Sequence, residues 1–169
     1  MCIRDRPGAV IKLGKNFSNI SLLSNEKIIA GSACNDKQVS DFAMENNIGG
    51  LEFLSCIPGT IGGGLRMNSG CFGTEFKDIL LSVQALDKKG NMVTIPSNKI
   101  NFGYRYSGLD RNLIFLSASL KGKHKAQNKI KEEIIFLKDK KIKSQPTKIK
   151  TGGSTFKNPI NQTKEKVWE

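Results

Sequence analysis

Short apolar runs separated by polar turns dominate most of the chain. Ala9-Val10-Ile11-Lys12-Leu13 reads as a short strand. Ile20 to Leu23 and Lys27 to Ala30 read as two more, separated by Ser24-Asn25-Glu26 and closed by Gly31. The period then lengthens. Asn35 with Gln38 three residues on is close to a capping box, and Val39, Phe42 and Ala43 form an apolar stripe ending at Asn46-Asn47, which predicts a helix before Gly49-Gly50. Further on, Ile79 to Leu86 and Met92 to Ile95 predict a hairpin across the turn Asp87-Lys88-Lys89-Gly90-Asn91, and Asn112 to Leu120 predicts another strand. From Gln127 to Ile142 the residues Ile130, Ile134, Ile135, Leu137 and Ile142 stand among charges as an amphipathic helix that Gln145-Pro146 ends. Mixed strands with few helices predict an α+β fold rather than a regular βαβ array.

The composition changes at Lys121, which places a domain boundary near residue 122 and divides the chain into residues 1–122 and 123–169. Met1 to Arg6, short and charged, fit poorly with the strand pattern that begins at Ala9 and carry no weight in the fold assignment. Gln162 to Glu169 read as the first turns of a helix whose apolar residues are Val167 and Trp168, too few to make a face, so the native chain is expected to continue.

A 38% apolar content is lean but sufficient for a core in 169 residues. There is neither an apolar run of membrane-spanning length nor a secretory signal pattern, so a cytoplasmic protein without a membrane partner is the expectation. Cys2, Cys34, Cys56 and Cys71 lack C-x-x-C spacing and His124 is the single histidine; free thiols and no metal site are expected. His124 reads as a solvated surface residue.

The net charge of +12 is concentrated in the lysines of residues 121–150. Nucleic-acid stacking needs aromatics interleaved with charge, and Phe136 stands alone there, so a solvated helix face is preferred to a nucleic-acid surface. Such a field still favours anionic small molecules.

Candidate chemistry concentrates in residues 57–73, Ile-Pro-Gly-Thr-Ile-Gly-Gly-Gly-Leu-Arg-Met-Asn-Ser-Gly-Cys-Phe-Gly, which hold six of the 17 glycines. Gly59 and Gly64 have P-loop spacing, but Leu65 and Arg66 stand where the lysine and the Ser/Thr belong. Gly62 and Gly64 open a G-x-G-x-x-G that fails at Met67, and no strand runs straight into it. Two readings stay open on the residues alone: a backbone cradle for cofactor phosphate, or a cluster of structural turns.

This stretch resembles the flavin-phosphate loop of the UDP-N-acetylenolpyruvoylglucosamine reductase (UDP-N-acetylmuramate dehydrogenase) family, whose pattern is close to I-P-G-[ST]-[IV]-G-G-x-x-x-M-N-x-G-x-[FY]-G. Two further segments agree in order: Gly103-Tyr104-Arg105-Tyr106-Ser107 and Gly152-Gly153-Ser154-Thr155-Phe156-Lys157-Asn158-Pro159. The resemblance implies an FAD-binding domain of the vanillyl-alcohol-oxidase/p-cresol-methylhydroxylase type over residues 1–122 and the start of an α+β substrate-binding domain over 123–169. It implies Ile57, Pro58, Gly59, Thr60, Gly62, Gly63, Asn68 and Gly70 as cofactor-binding residues and Tyr104 and Asn158 as substrate-binding residues, Asn158 near the substrate diphosphate.

Arg105 has a permanently charged planar fork that suits a carboxylate or developing enolate, although on residues alone a strand-edge ion pair is the preferred reading. The resemblance reverses this and implies that Arg105 stabilises the enol form of the substrate. Ser154 has no histidine partner, so a nucleophilic triad is excluded, and a turn-capping serine would be the ordinary reading. By resemblance Ser154 is the proton donor. The implied reaction uses NADPH and FAD to reduce UDP-N-acetylglucosamine-enolpyruvate to UDP-N-acetylmuramate, a peptidoglycan precursor, with the protein supplying position and charge. Lys141 or Lys143 is a candidate for the UDP phosphate. A monomer is expected.

Two departures qualify the implied activity. The family's first subdomain, with its G-x-G-S-N type loop, and its C-terminal catalytic glutamate would lie outside residues 1–169. These residues alone are therefore expected to fold partly, to bind FAD weakly or not at all and to turn over no substrate. A non-catalytic flavin- or nucleotide-binding module and a basic nucleic-acid binder are the alternatives.

Overall fold

The computed structural model describes residues 10–144. Five strands form one antiparallel sheet: β1 (Ile20–Ser24), β2 (Lys27–Gly31), and, later in the chain, β6 (Leu80–Leu86), β7 (Met92–Pro96) and β8 (Ile114–Lys121). Their spatial order is β1-β2-β8-β6-β7, so the last of the five enters between the two hairpins. Between β2 and β6 the chain forms α1 (Asp36–Glu45), β3 (Ile48–Gly49), a 3-10 turn at Glu52–Cys56, α2 (Ile61–Arg66), the short pair β4 (Gly70–Cys71) and β5 (Thr74–Glu75), and α3 (Phe76–Ile79). After β8 come β9 (Lys123–His124) and α4 (Gln127–Ser144).

Alternation along the central strands directs one face of the sheet to the core. Ile28 pairs with Leu120, Ala30 with Ala118, Val83 with Ala118 and Ala85 with Phe115, and all of these residues are buried. Phe76, Leu51, Leu54, Ile61, Leu65 and Val39 fill the space against that face. On the opposite face small polar residues meet, and Ser117 Oγ donates to Gln84 Oε1 at 3.0 Å.

Both hairpins and the first helix agree with the sequence pattern. In the β6–β7 turn, Asp87 Oδ1 accepts from Lys89 N at 2.8 Å and Asn91 N at 2.9 Å, while Gly90 takes φ 80°. These bonds, that from the Asn91 backbone foremost, hold the Asp87 carboxyl below its ordinary value. Helix α1 starts where the capping pattern places it, with Asn35 N donating to Gln38 Oε1 at 3.2 Å. It ends at Asn46 and Asn47, the latter in the left-handed region at φ 59°.

The expected first strand is a correction. Residues 10–13 are not a strand, and Val10 and Ile11 are 69% and 65% exposed. Among the described residues β1 is already the sheet edge, and the chain turns through a 3-10 segment at Lys15–Phe17 before entering it. The α4 stripe is also narrower than expected. Ile130 and Ile134 are buried, but Ile135 and Ile142 are exposed because, at roughly 100° of turn per residue, both lie about a quarter turn or more away from the face that Ile130 and Ile134 share. Gln145-Pro146, Gly152 to Pro159 and Gln162 to Glu169 lie outside the described residues. Among the described residues no helix is long and apolar enough to cross a membrane.

Helix α4 packs against α1 and the 3-10 turn at Glu52–Cys56, and β9 pairs with β3. A buried carboxylate anchors this junction. Glu52, 4% exposed, accepts from Gly50 N at 2.6 Å and from Lys125 Nζ at 3.0 Å, and Lys125 also pairs with Glu133 of α4. Removing the cation leaves a desolvated charge, so Lys125→Met is expected to lower unfolding free energy by about 3 kcal/mol, the lower end of the range for a broken buried pair. Urea denaturation checks this, and adding Glu52→Gln to Lys125→Met should recover part of the loss.

Candidate functional site

The glycine-rich stretch turns back onto the end of β2. Ile61 N–H donates to Cys34 O at 2.9 Å, Gly62 N–H to Ser32 O at 3.0 Å and Asp36 N–H to Gly59 O at 3.1 Å, so two irregular backbones run side by side. Thr60 then caps α2, its Oγ1 accepting from Gly63 N at a long 3.4 Å.

The glycines serve two purposes. A Cβ on Gly64 would lie 2.3 Å from the Phe76 ring, and one on Gly62 would lie 3.0 Å from Ser32 Cβ. Packing requires glycine at position 64, whereas at position 62 a side chain fits only if Ser32 gives way slightly. Gly70 likewise abuts Thr74 O, at 2.5 Å from an added Cβ. Gly59 and Gly63 are exposed, and a Cβ on Gly63 would meet only Thr60 Oγ1, at 3.5 Å. Structural turns and an open backbone surface therefore coexist in one loop.

Arg66, which falls at the expected hydroxyl position of a P-loop, has a structural role. Its guanidinium donates to the carbonyls of Leu109, Asp110 and Leu113 at 3.2, 2.9 and 2.8 Å and stacks 4.2 Å from the Phe115 ring. Asn68 is fully buried at φ 41°. Its Nδ2 donates to Glu75 Oε2 and Gly103 O, both at 3.0 Å, and its Oδ1 accepts from Lys77 N at 3.0 Å.

Asn68 thus connects the glycine loop to the tight turn Gly103-Tyr104-Arg105-Tyr106. Gly103 N–H donates to Tyr106 O at 2.8 Å and Tyr106 N–H to Gly103 O at 3.2 Å. Arg105 occupies the second central position at φ 54°, where glycine or asparagine would be unstrained. Its guanidinium lies 4.9 Å from the half-exposed Tyr104 ring. Together with Gly70, Phe72, Glu75, Lys77 and Asp78 it borders an open cleft of about 450 Å³.

A second cleft, of about 690 Å³, lies between Ile11 to Lys15, Ser32, Ala33 and Thr60 of the loop. Beside it, Ser32 Oγ and both carboxyl oxygens of Asp36 are buried without a hydrogen-bond partner among the described residues. Burial pushes the Asp36 carboxyl up to about 7. Its position at the start of α1 favours the charged form by only about 0.3–1 kcal/mol, less than one pKa unit, so burial prevails.

The FAD binding domain family matches residues 2–96. The chain belongs to that family. Its relatives are more specific. It is 65% identical over 162 residues to UDP-N-acetylenolpyruvoylglucosamine reductase of Pelagibacter ubique, covering 96% of this chain and 54% of the relative. The enzyme of that name from Rickettsia conorii is 46% identical over 167 residues, with the same two coverages. The crystal structure of UDP-N-acetylenolpyruvylglucosamine reductase (MurB) from Thermus caldophilus superposes with a TM-score of 0.83 at 28% identity, covering 94% of this chain and 57% of that one. The chain is thus similar to UDP-N-acetylenolpyruvoylglucosamine reductases over the part that it spans, and the match bears out the α+β assignment with an FAD binding domain. The chain spans about half the length of the curated relatives it matches.

The residues fit the cofactor that the family implies. Ser32, whose Oγ is orphaned among the described residues, Thr60 of the glycine-rich loop, and Lys12 and Lys15 line one cleft large enough for part of a dinucleotide. Of the eight residues expected at the cofactor, Ile57, Pro58, Gly59, Thr60, Gly62 and Gly63 form one continuous turn. The side chain of Asn68 is bonded to protein, and Gly70, where an added Cβ would abut Thr74 O, borders the cleft beside Arg105. Arg105 and Tyr104 lie together on their turn, while Ser154 and Asn158 lie outside the described residues. Lys141 donates to Cys56 O at 2.5 Å, just before the loop, and Lys140 lies 4.7 Å from the Phe72 ring. Sequence reasoning missed Ser32, Asp36 and Glu75, which carry no motif signal; the helix cap at Asn35 was the nearest pointer to Asp36.

Substitution separates the two kinds of glycine. Gly64→Ala is expected to cost about 1–3 kcal/mol through overpacking on Phe76, whereas Gly63→Ala is expected to leave urea stability unchanged or slightly raised. Asp36 gives a pH signature. The unfolded carboxyl titrates near 3.8 and the folded one near 7, so its stabilising contribution is complete below the lower value and lost as pH rises toward the upper. The stability difference between wild type and Asp36→Asn, followed by urea titration, should fall by on the order of 4 kcal/mol across that window.

Proposed function

We propose that this chain provides the FAD-binding half-site and the substrate-facing arginine of an enzyme that reduces UDP-N-acetylglucosamine-enolpyruvate to UDP-N-acetylmuramate, with NADPH as reductant. The observation that carries this reading is the placement of Arg105, in a strained turn at the mouth of an open cleft, across the same glycine-rich loop that borders the candidate cofactor cleft. The names of the relatives support it.

Residues 57–63, with Ser32 and Asp36, would hold FAD. When bound, it supplies the hydride-transfer chemistry that amino-acid side chains lack. The chain's own residues supply recognition and charge. Arg105 presents planar donors to the carboxylate of the enolpyruvyl group and disperses the negative charge that develops as its double bond is reduced. The ring of Tyr104 supports the guanidinium from one side. Ser154 delivers a proton to the carbon next to the carboxylate, where the negative charge is left once the other carbon of the double bond has taken the hydride, and Asn158 contacts the diphosphate. Residues 123–169 begin the substrate-binding unit. The enzyme acts as a cytoplasmic monomer in peptidoglycan precursor synthesis, without nucleic-acid or membrane partners.

The test is spectroscopic, on the complete protein that contains this chain. FAD should remain bound through gel filtration, lose its visible absorbance on adding NADPH and regain it on adding the enolpyruvyl substrate. Arg105→Ala is expected to slow the regain by about 10²–10³-fold, as for loss of a preorganised donor to an oxyanion, while leaving the NADPH-dependent loss intact. Failure to retain FAD would overturn the reading. Retention with no effect of Arg105→Ala or Ser154→Ala would favour a non-catalytic flavin module.

A further inference from the structure

The contacts of Arg105 point to a neighbour that belongs to none of the sequence motifs. Its Nη1 reaches Asn68 O at 3.5 Å and its Nη2 reaches Gly70 O at 3.4 Å, both at the far limit of a hydrogen bond. The charged partner is Glu75, whose Oε1 lies 4.0 Å from Nη1.

The carboxylate of Glu75 is held more firmly than the arginine it faces. Oε2 accepts from Asn68 Nδ2 and pairs with Lys77 Nζ, each at 3.0 Å. Asn68 itself has both amide hydrogens engaged and its oxygen accepts Lys77 N, within a fully buried site. A primary amide has two donor hydrogens, so its orientation is fixed by these bonds. Fixing Oε2 leaves Oε1 directed at Arg105.

We propose that Glu75 is a positioning residue for Arg105. Oriented by Asn68, its carboxylate holds the guanidinium across the cleft mouth at a distance loose enough to yield to an incoming carboxylate or enolate in direct contact. The arginine is aligned before the anion arrives and is not locked away from it. The kinetic consequence rests on the reductase reading; the hold on Arg105 does not.

Glu75 also has a structural role, because its backbone pairs with Gly70 in the β4–β5 ladder and its N–H donates to Asp78 Oδ2 at 2.9 Å. Glu75→Gln preserves these backbone contacts and an acceptor for Asn68 but removes the charge. In the complete FAD-loaded protein this variant is expected to melt like wild type and to lower kcat about 5-fold with KM nearly unchanged, the kinetic equivalent of a partly exposed ion pair.

A second readout is independent of turnover. The Arg105 Nε–H resonance, assigned by its loss in Arg105→Lys, should report restricted guanidinium rotation in wild type and faster rotation in Glu75→Gln. Glu75→Asp, which keeps the charge, should retain more of the restriction. Equal rotation in wild type and Glu75→Gln would overturn the proposal, and so would an unchanged kcat. If the complete protein turns over no enolpyruvyl substrate, the reductase reading falls, and the rotation measurement still decides the role of Glu75.

Discussion

Backbone pairing between the exit of β2 and the glycine-rich loop is the constraint on which the site depends. Three hydrogen bonds join residues 32–36 to residues 59–62, and they bring Gly62 close against Ser32. Hydrophobic packing at Ile61, Leu65 and Phe76 keeps the loop against the sheet. The core and the ligand-facing surface are therefore opposite sides of one turn. Bulk added at Gly64 would strike the Phe76 ring that the turn rests on, whereas bulk at Gly63 would meet solvent or a ligand.

Buried polar groups around this loop fall into two kinds. Asn68 has every donor matched to a protein acceptor and acts as a rigid coupling between the loop, Glu75 and the arginine turn. Ser32 and Asp36 are unmatched among the described residues, which is costly unless a ligand or a proton resolves it. The raised Asp36 carboxyl follows from that second condition. Satisfied groups specify geometry here, and of the unsatisfied ones Ser32 lines the open cleft beside the loop.

Charge is similarly divided between structure and site. Lys125 neutralises the buried Glu52 and anchors α4, while Lys141 binds the Cys56 carbonyl beside the loop entry. Arg66 caps three carbonyls of the segment leading into β8. Arg105, by contrast, has only long contacts among the described residues, and its backbone strain is retained within a turn closed by two hydrogen bonds. Net positive charge alone could not have distinguished these roles.

Local pattern determined much of the fold. The two hairpins, α1 with its cap and α4 were legible because turn chemistry and apolar periodicity act over a few residues. The glycine loop and Tyr-Arg turn were legible as motifs, but the loop's split into packed and open glycines was not, because the atoms that fill Gly62 and Gly64 come from residues about thirty positions earlier and a dozen later. The strand expected at residues 9–13 fails for a related reason: residues 10–13 pair with no strand of the sheet, and a short apolar run does not by itself specify a partner. Sequence by itself therefore determined the two hairpins, the helices α1 and α4 and the family resemblance. Only the tertiary structure decided that Asn68 is a buried coupling, that Asp36 is orphaned and that Glu75 faces Arg105, since pairing and desolvation depend on groups that the chain brings together from distant positions.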